Sequence, residues 1–401
     1  MKQILELDAM VLGGGIAGLW VARRLAASGH VVALIERDAL GAGQSMASQG
    51  MIHGGLKYAL GGSLTRASEA IAGAPARWRA CVEGRGELDL TSARRLSESC
   101  WMWADGGLRN RLGSLLASRM VQGRVASLAP SDWPAFFARS PFAGRIYRLD
   151  EFVFDVPSLL ATLAEPLLPW TVCVPDVLGR VQRCTQGFAL ELDQSTLHAR
   201  HLILTAGAGN AELLSVLGAS MPSMQRRPLH QVCVTTDHPH PVFGHCLTGV
   251  SLSGTARPEP RLTISSHPRG KAWTWYLGGA LANSGVARDS AAQIDFARAE
   301  LAELVPWVDL SSARFSTLRV DRAEPLTEGS RRPDEAFVHL EDGLITAWPT
   351  KLSLTPDLGD RVCALLAPPG SEAGARSQAL RAALEPLPRP ELAPTFDALS
   401  T

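Results

Sequence analysis

Residues 10–36 read "MVLGGGIAGLWVARRLAASGHVVALIE". Met10-Val11-Leu12 closes an apolar run, and a glycine turn follows. An Ala- and Leu-rich helix then continues through Leu19, Ala22 and Leu25 to about Ser28. Gly29 ends the helix, and His30 to Glu36 has the continuous apolar character of a second buried strand. Gly13, Gly15 and Gly18 stand at G-x-G-x-x-G spacing, with Ile16 and Ala17 inside the motif. The first glycine serves a tight turn, the second lets backbone approach a pyrophosphate, and the third packs helix against strand. Phosphate charge would rest on the helix N-terminus. Glu36 falls 21 residues after Gly15, where an acid accepts ribose hydroxyls. That favours an unphosphorylated adenosine ribose, as in FAD or NAD. Arg37 could be read as a 2′-phosphate ligand, yet it points to the opposite side of an extended strand from Glu36.

A nicotinamide dehydrogenase would follow its second strand with another ordinary helix. This chain instead runs "RDALGAGQSMASQGMIHGGLKYAL" over residues 37–60, a glycine- and serine-rich passage able to track a cofactor from ribose through pyrophosphate to a ring system. In these two stretches the chain resembles the FAD-dependent oxidoreductases that include glycine oxidase, D-amino-acid oxidase, sarcosine oxidase, L-2-hydroxyglutarate dehydrogenase and glycerol-3-phosphate dehydrogenase. "GQSMASQGMIHGGLKY" is most similar to the glycerol-3-phosphate and hydroxyglutarate branch. The resemblance implies Gly43, Gln44 and Ser45 near the pyrophosphate, and Ser48, Gln49, Gly50 and Met51 along the flavin ring.

Further matches lie downstream. "EFVFDVPSLLATLAEPL" resembles the return into the FAD-binding domain, and "HARHLILTAGAGNAELL" resembles the family's strand and turn at the cofactor. There Thr205, Ala206 and Gly207 would let backbone approach FAD, and Val174 would contact the adenine side through its own backbone. In "EDGLITAWPTKLSLTPDLGDRVCALL" a buried strand leads through Thr350, Lys351, Leu352 and Ser353 into a helix. In the family this junction brings amides and the positive end of a helix dipole to the flavin N1 and C2 carbonyl.

The implied fold is α/β: a discontinuous Rossmann-like FAD-binding domain of glutathione-reductase type, with a second α+β substrate domain on a mixed, largely antiparallel sheet. The expected boundaries are 1–85, 150–225 and 325–367 for the FAD-binding domain, and 86–149 and 226–324 for the substrate domain. Residues 368–401, rich in proline, alanine and serine, are expected to form a peripheral tail with at most one short helix.

Flavin oxidation moves a hydride from a substrate carbon to N5, so the protein has to orient that carbon, accept a proton and hold the ring. The resemblance puts His53 at the flavin, either as the proton acceptor or as a cofactor contact. Arg319 and Arg322 resemble the family arginine that grips a substrate carboxylate or phosphate. Lys57 replaces an arginine of the glycerol-3-phosphate branch, Tyr58 keeps its aromatic neighbour, and Lys351 is similarly placed there. His230, Tyr276 and Trp348 sit on segments expected near the cleft, with core packing as their leading role.

Composition narrows the function classes. Acidic and basic residues balance at 39 each, so there is no overall field for nucleic acid. Seven scattered cysteines, never in a C-x-x-C pair, suggest neither a disulfide framework nor a zinc site, and FAD is expected to be held without a covalent link. The amino terminus shows no long apolar span or cleavage site, so a cytoplasmic location is expected. Residues 107–124 combine four arginines with leucines and read as an exposed amphipathic helix before a membrane-surface one. The expected function is oxidation of a small anionic amino acid or hydroxy acid, or its phosphate, with oxygen or a quinone as electron acceptor. Two alternatives stand beside it: an FAD-binding subunit or regulator without turnover of its own, and an NAD-dependent dehydrogenase.

Overall fold

The structure, a computed structural model, describes residues 2–54, 66–104, 125–138, 140–247, 260–328, 333 and 335–395, with 66–70 described by backbone alone. Lys57, Tyr58 and the 107–124 segment lie outside the described residues.

Five parallel strands form the centre of the first sheet, in the order Leu344–Trp348, Ser195–Leu204, Gln3–Leu12, Val32–Glu36 and Thr171–Cys173. Antiparallel neighbours Gly187–Glu191, Val181–Cys184 and Phe337–Glu341 complete it. Alternate residues of the first strand enter opposite cores: Ala9 and Val11 on one face, Met10 and Leu12 on the other. A strand buried on both faces therefore reads as an unbroken apolar run. The Ile16–Ala27 helix covers the first face, packed on the Thr355–Cys363 helix, where a Cβ on Gly359 would lie 2.7 Å from Trp20 Cδ1.

The second sheet is mixed and has eight strands, in the order Arg314–Pro325, Met224–Thr236, Ala272–Gly278, Leu262–Arg269, Phe243–Leu247, Cys100–Ala104, Arg145–Leu149 and Val125–Ser127. Among the described residues, its one parallel pairing is that of Phe243–Leu247 with Cys100–Ala104. Val232, Val234, Ile264, Trp275 and Leu277 pack with Ala297 and Leu301 of the Ser290–Leu304 helix. By the two-residue period, Gln231, His245, Thr263 and Gly278 face the other way, into a cleft between the sheets. A small sheet of Met51–Ile52, Phe152–Phe154 and Arg95–Ser97 sits beside that cleft.

Two expectations are corrected. The tail is integral. Its Ala373–Leu384 helix buries Leu380 and Leu384 against the second face of the first sheet, and Arg376 pairs with Asp8 at 3.0 Å. Beyond it, Cys173 N–H donates to Pro388 O at 2.8 Å, and Leu40 exchanges backbone bonds with Glu391 and Ala393. Few apolar side chains are needed when backbone bonds supply the rest, and composition misses that. In addition, Leu88, Leu90 and Ala93 pack in the core around Trp20 and Trp78, so residues 86–93 belong with the first sheet. Among the described residues no helix is long and apolar enough to cross a membrane.

Candidate active site

The glycine turn follows the tip of the first strand. Gly13, at φ +109°, donates its N–H to Ile35 O at 2.9 Å, and a Cβ on it would lie 2.6 Å from Ala206 backbone. A Cβ on Gly18 would lie 1.9 Å from Gly13 O, so the third glycine lets the helix dock on the turn. Glu36 closes the loop: its Oε2 accepts from Gly14 N–H at 2.6 Å and its Oε1 from the N–H groups of Arg37 and Asp38 at 2.8 and 3.1 Å. Ser45 Oγ accepts from Ile16 N–H at 2.9 Å, bringing the second glycine-rich passage onto the start of the first helix.

From Glu36 a cavity of about 530 Å³ runs between the sheets. Gly13, Gly15, Ile16, Ala17 and Arg37 line it beside that end. Gly43, Gln44, Ser45, Ser48, Gln49 and Met51 follow, with Thr205, Ala206 and Gly207 across from them in the first sheet's loops. Thr350, Lys351 and Leu352 line it too, with Trp348, whose Nε1–H donates to Gly207 O at 3.1 Å. Thr350 adopts φ +59°, an uncommon conformation for a β-branched residue of the kind that gathers at ligand sites. Gln49 spans to the second sheet, donating to Tyr276 O at 2.7 Å.

Four residues expected at the cofactor do not line the cavity. Gly18 acts through packing. Gly50, at φ +72°, is pressed against Phe154 O, and Ser353 Oγ accepts from His53 N–H at 2.7 Å. Val174 is the clearest correction: its N–H donates to Glu36 O at 2.8 Å and its carbonyl accepts from Val177 N–H, so its backbone is spent inside the protein. Val177 and Leu178 line the cavity instead.

At the other end His53 faces a residue missed in the sequence. Strand register pairs Ile52 with Phe152, which sets His53 opposite Glu151. His53 Nδ1 lies 3.2 Å from Glu151 Oε2, and His245 Nε2 lies 3.5 Å from the same oxygen. Glu151 Oε1 accepts from Gly54 N–H at 3.0 Å, and His245 Nδ1 bonds Thr263 Oγ1 at 2.9 Å. Glu151 is 4% exposed. Burial alone would push its pKa up, but the charges and hydrogen bonds of His53 and His245 outweigh that and hold it well below the usual carboxylate range. Glu151 stands one residue before a recognisable strand and His245 in an ordinary apolar one. No local spacing links them; only the sheet pairings do.

The two candidate arginines separate. Arg322 lines the cavity, donating from Nε to Arg227 O and from Nη2 to Asn283 Oδ1, each at 3.1 Å. Arg319 is exposed on the opposite strand face and donates to the carbonyls of Val286 and Arg288. His230 is buried off the cavity, bonded through Nδ1 to Gly285 O at 3.0 Å, and Tyr276 stacks on His267 with centroids 4.0 Å apart. All cysteines are free thiols.

The glycine cradle, the strand-end acid and the cavity volume suit a dinucleotide cofactor. At Gly43, φ +72°, no atom lies within 4 Å of where a Cβ would stand, so the cradle stays open. Comparison with known proteins agrees. A family model described as FAD dependent oxidoreductase matches residues 8–338. A protein of Pseudomonas aeruginosa named a probable FAD-dependent oxidoreductase is 48% identical over 395 residues, 98% of each chain. A crystal structure of the FAD-dependent oxidoreductase from that organism superposes with a TM-score of 0.80, 40% identity and 99% of each chain covered. At the level of fold, glycine oxidase of Geobacillus kaustophilus superposes at a TM-score of 0.65 with 20% identity, covering 90% of this chain and 94% of its own. L-α-glycerophosphate oxidase of Mycoplasma pneumoniae with FAD bound does so at 0.66 with 13% identity and the same coverage. With nucleotide turn, continuous cleft and relatives in agreement, the chain belongs to the DAO family of FAD-dependent oxidoreductases.

Proposed function

We propose that this flavoprotein oxidises a small anionic substrate, an amino acid or a hydroxy acid or its phosphate. The observation that carries the reading is the lining of one cavity by a cationic pair, Arg322 and Lys351, together with an imidazole, His53. Bound FAD supplies the hydride acceptor. The protein's part is to grip the anion, orient the donor carbon and receive a proton.

Arg322 suits the first task because its guanidinium is held by Arg227 O and Asn283 before any substrate arrives. Lys351 is 7% exposed and adds a point charge from the strand-to-helix junction. Gln49 braces the glycine-rich passage against the second sheet, which fixes the cleft width. Met51, Trp348 and Leu352 give the cavity apolar walls that exclude water.

Purified holoprotein is to be mixed anaerobically with panels of amino acids, hydroxy acids and their phosphates while the flavin absorbance is followed. Bleaching by a small anion that weakens in Arg322→Gln supports the reading. A yellow protein that no panel member bleaches sinks it and favours a flavin-binding subunit without turnover of its own.

A further inference from the structure

We propose that Cys184, His198 and Glu6 form a peroxide-reactive thiol site on the outer face of the first sheet. None of the three lines the flavin cavity, so the site stands apart from the substrate question. They are far apart in sequence, and strand register brings them together. Glu6 of the Gln3–Leu12 strand pairs with His198 of Ser195–Leu204, and His198 pairs with Ala189 of Gly187–Glu191. Cys184 ends the Val181–Cys184 strand and pairs with Gly187, which stands two residues from Ala189 and so on the same face. Leu5, Leu7, Phe188, Leu197 and Ala199 enter the core on the other face.

The strand between thiol and imidazole carries only small residues at this point. Gly187 adopts φ +130°, and a Cβ on it would lie 2.2 Å from Ala199 O. With Gly187 and Ala189 in between, Cys184 Sγ reaches to 3.1 Å from His198 Nε2. His198 Nδ1 lies 2.8 Å from Glu6 Oε2. A nucleophile thus stands within reach of a base, and the base is oriented by a third group. The carboxylate takes the N–H of Nδ1 and leaves the Nε2 lone pair to receive the thiol proton. Cys184 and Glu6 are exposed, so a small reagent can reach the sulfur.

The other thiols do not share this setting. Burial pushes the Cys81 thiol up to about 11 and raises those of Cys100, Cys173 and Cys363. Cys233 and Cys246 are buried as well. Cys173 lies in the same sheet as Cys184 but five strand spacings away, about 24 Å, against the roughly 7 Å that a disulfide can span between Cα atoms. In the proposed step the S–H proton passes to His198 Nε2 and a sulfur electron pair attacks one oxygen of a small hydroperoxide. The S–O bond forms and the O–O bond breaks. The departing oxygen takes the proton back from His198 and leaves as water or an alcohol. Sulfur is oxidised by two electrons to a sulfenic acid, the peroxide is reduced, and Glu6 stabilises the transient imidazolium. A small thiol then condenses with the sulfenic acid to a mixed disulfide and water, and a second one restores Cys184.

Reduced holoprotein, freed of added thiol, is to be treated with equimolar hydrogen peroxide and a 1,3-dione that captures sulfenic acid, and the adduct mapped by peptide mass spectrometry. Cys184 should carry the adduct well ahead of Cys173 and Cys363. Cys184→Ser should lose it while keeping its FAD content and visible spectrum. His198→Gln should slow capture on the order of 10- to 100-fold, no more than the low end of what a positioned base contributes, because the site is open to water. Glu6→Gln should slow it by less, and NMR of ¹⁵N-histidine-labelled protein should show that His198 has lost its Nδ1–H tautomer. If His198→Gln yields no flavoprotein, Glu6→Gln decides through rate and tautomer together. Absence of an adduct, equal labelling of Cys173 or Cys363, or an unchanged rate and tautomer in the variants would overturn the proposal.

Discussion

His53 and Glu151 meet across the end of a two-residue strand pair, Nδ1 to Oε2 at 3.2 Å, and the carboxylate in that contact is buried while the imidazole borders the cleft. A buried carboxylate without compensation would take up a proton. Here two imidazoles and a backbone N–H provide that compensation, so the same contacts that orient His53 also bear on stability.

Acid should reveal this. Because the folded-state pKa of Glu151 is depressed, its stabilisation is present above the unfolded carboxyl value of about 4.3 and is lost as pH falls toward the folded value. Urea midpoints taken through the acid range should fall more steeply for the wild type than for Glu151→Gln, which has no carboxyl to protonate. Parallel curves would show that the contact does not survive in solution.

Strand geometry separates the two candidate arginines. Arg319 and Arg322 are three residues apart on one strand, so their side chains leave on opposite faces. Leu318 and Val320 pack toward the cleft with Cys233 and Tyr276, and Thr317 bonds Ser290 on the helix side. Arg322→Gln should weaken binding of an anionic substrate by roughly 10- to 100-fold, the scale of a charge-assisted hydrogen bond, whereas Arg319→Gln should stay within a few-fold. Anaerobic titrations of the two variants measure the difference directly.

What was legible in the sequence follows the reach of each interaction. The β-α-β unit at residues 10–36 could be read because its glycines, apolar strands and terminal acid act on neighbours in sequence, and the cavity begins there. His53 came from a resemblance and does line the cavity. Glu151 and His245 could not be read, because their meeting depends on Ile52 pairing with Phe152 and on His245 pairing with Thr263 in a different sheet. Val174 was misplaced for a related reason: its N–H is taken by Glu36 O, a bond visible only once the strands are laid side by side.

The tail supplies a third prediction. Leu380 and Leu384 are each 1% exposed beneath the first sheet, so Leu380→Ala leaves a cavity in that core. A loss of about 2–5 kcal/mol is expected from urea unfolding, with the flavin spectrum of the folded fraction unchanged. A loss under about 0.5 kcal/mol, the scale of ordinary surface substitutions, would restore the view of this region as peripheral.

Two glycines distinguish a backbone constraint from a side-chain one. A Cβ on Gly18 would sit 1.9 Å from Gly13 O and 2.7 Å from Thr205 Oγ1, and the carbonyl belongs to the glycine turn that borders the cavity. The helix must then lift off the turn or the turn must deform, so Gly18→Ala should abolish FAD retention during purification. A Cβ on Gly278 would instead meet Gln49 Oε1 at 2.5 Å, the far end of a side chain that can rotate once it gives up its bond to Tyr276 O. Gly278→Ala should therefore keep its flavin but hold the glycine-rich passage less firmly. Its visible spectrum should be nearly normal, while FAD should dissociate faster on dilution than from the wild type. Equal FAD retention in the two variants would mean that the first turn tolerates displacement, and the role assigned to the third glycine would fall with it.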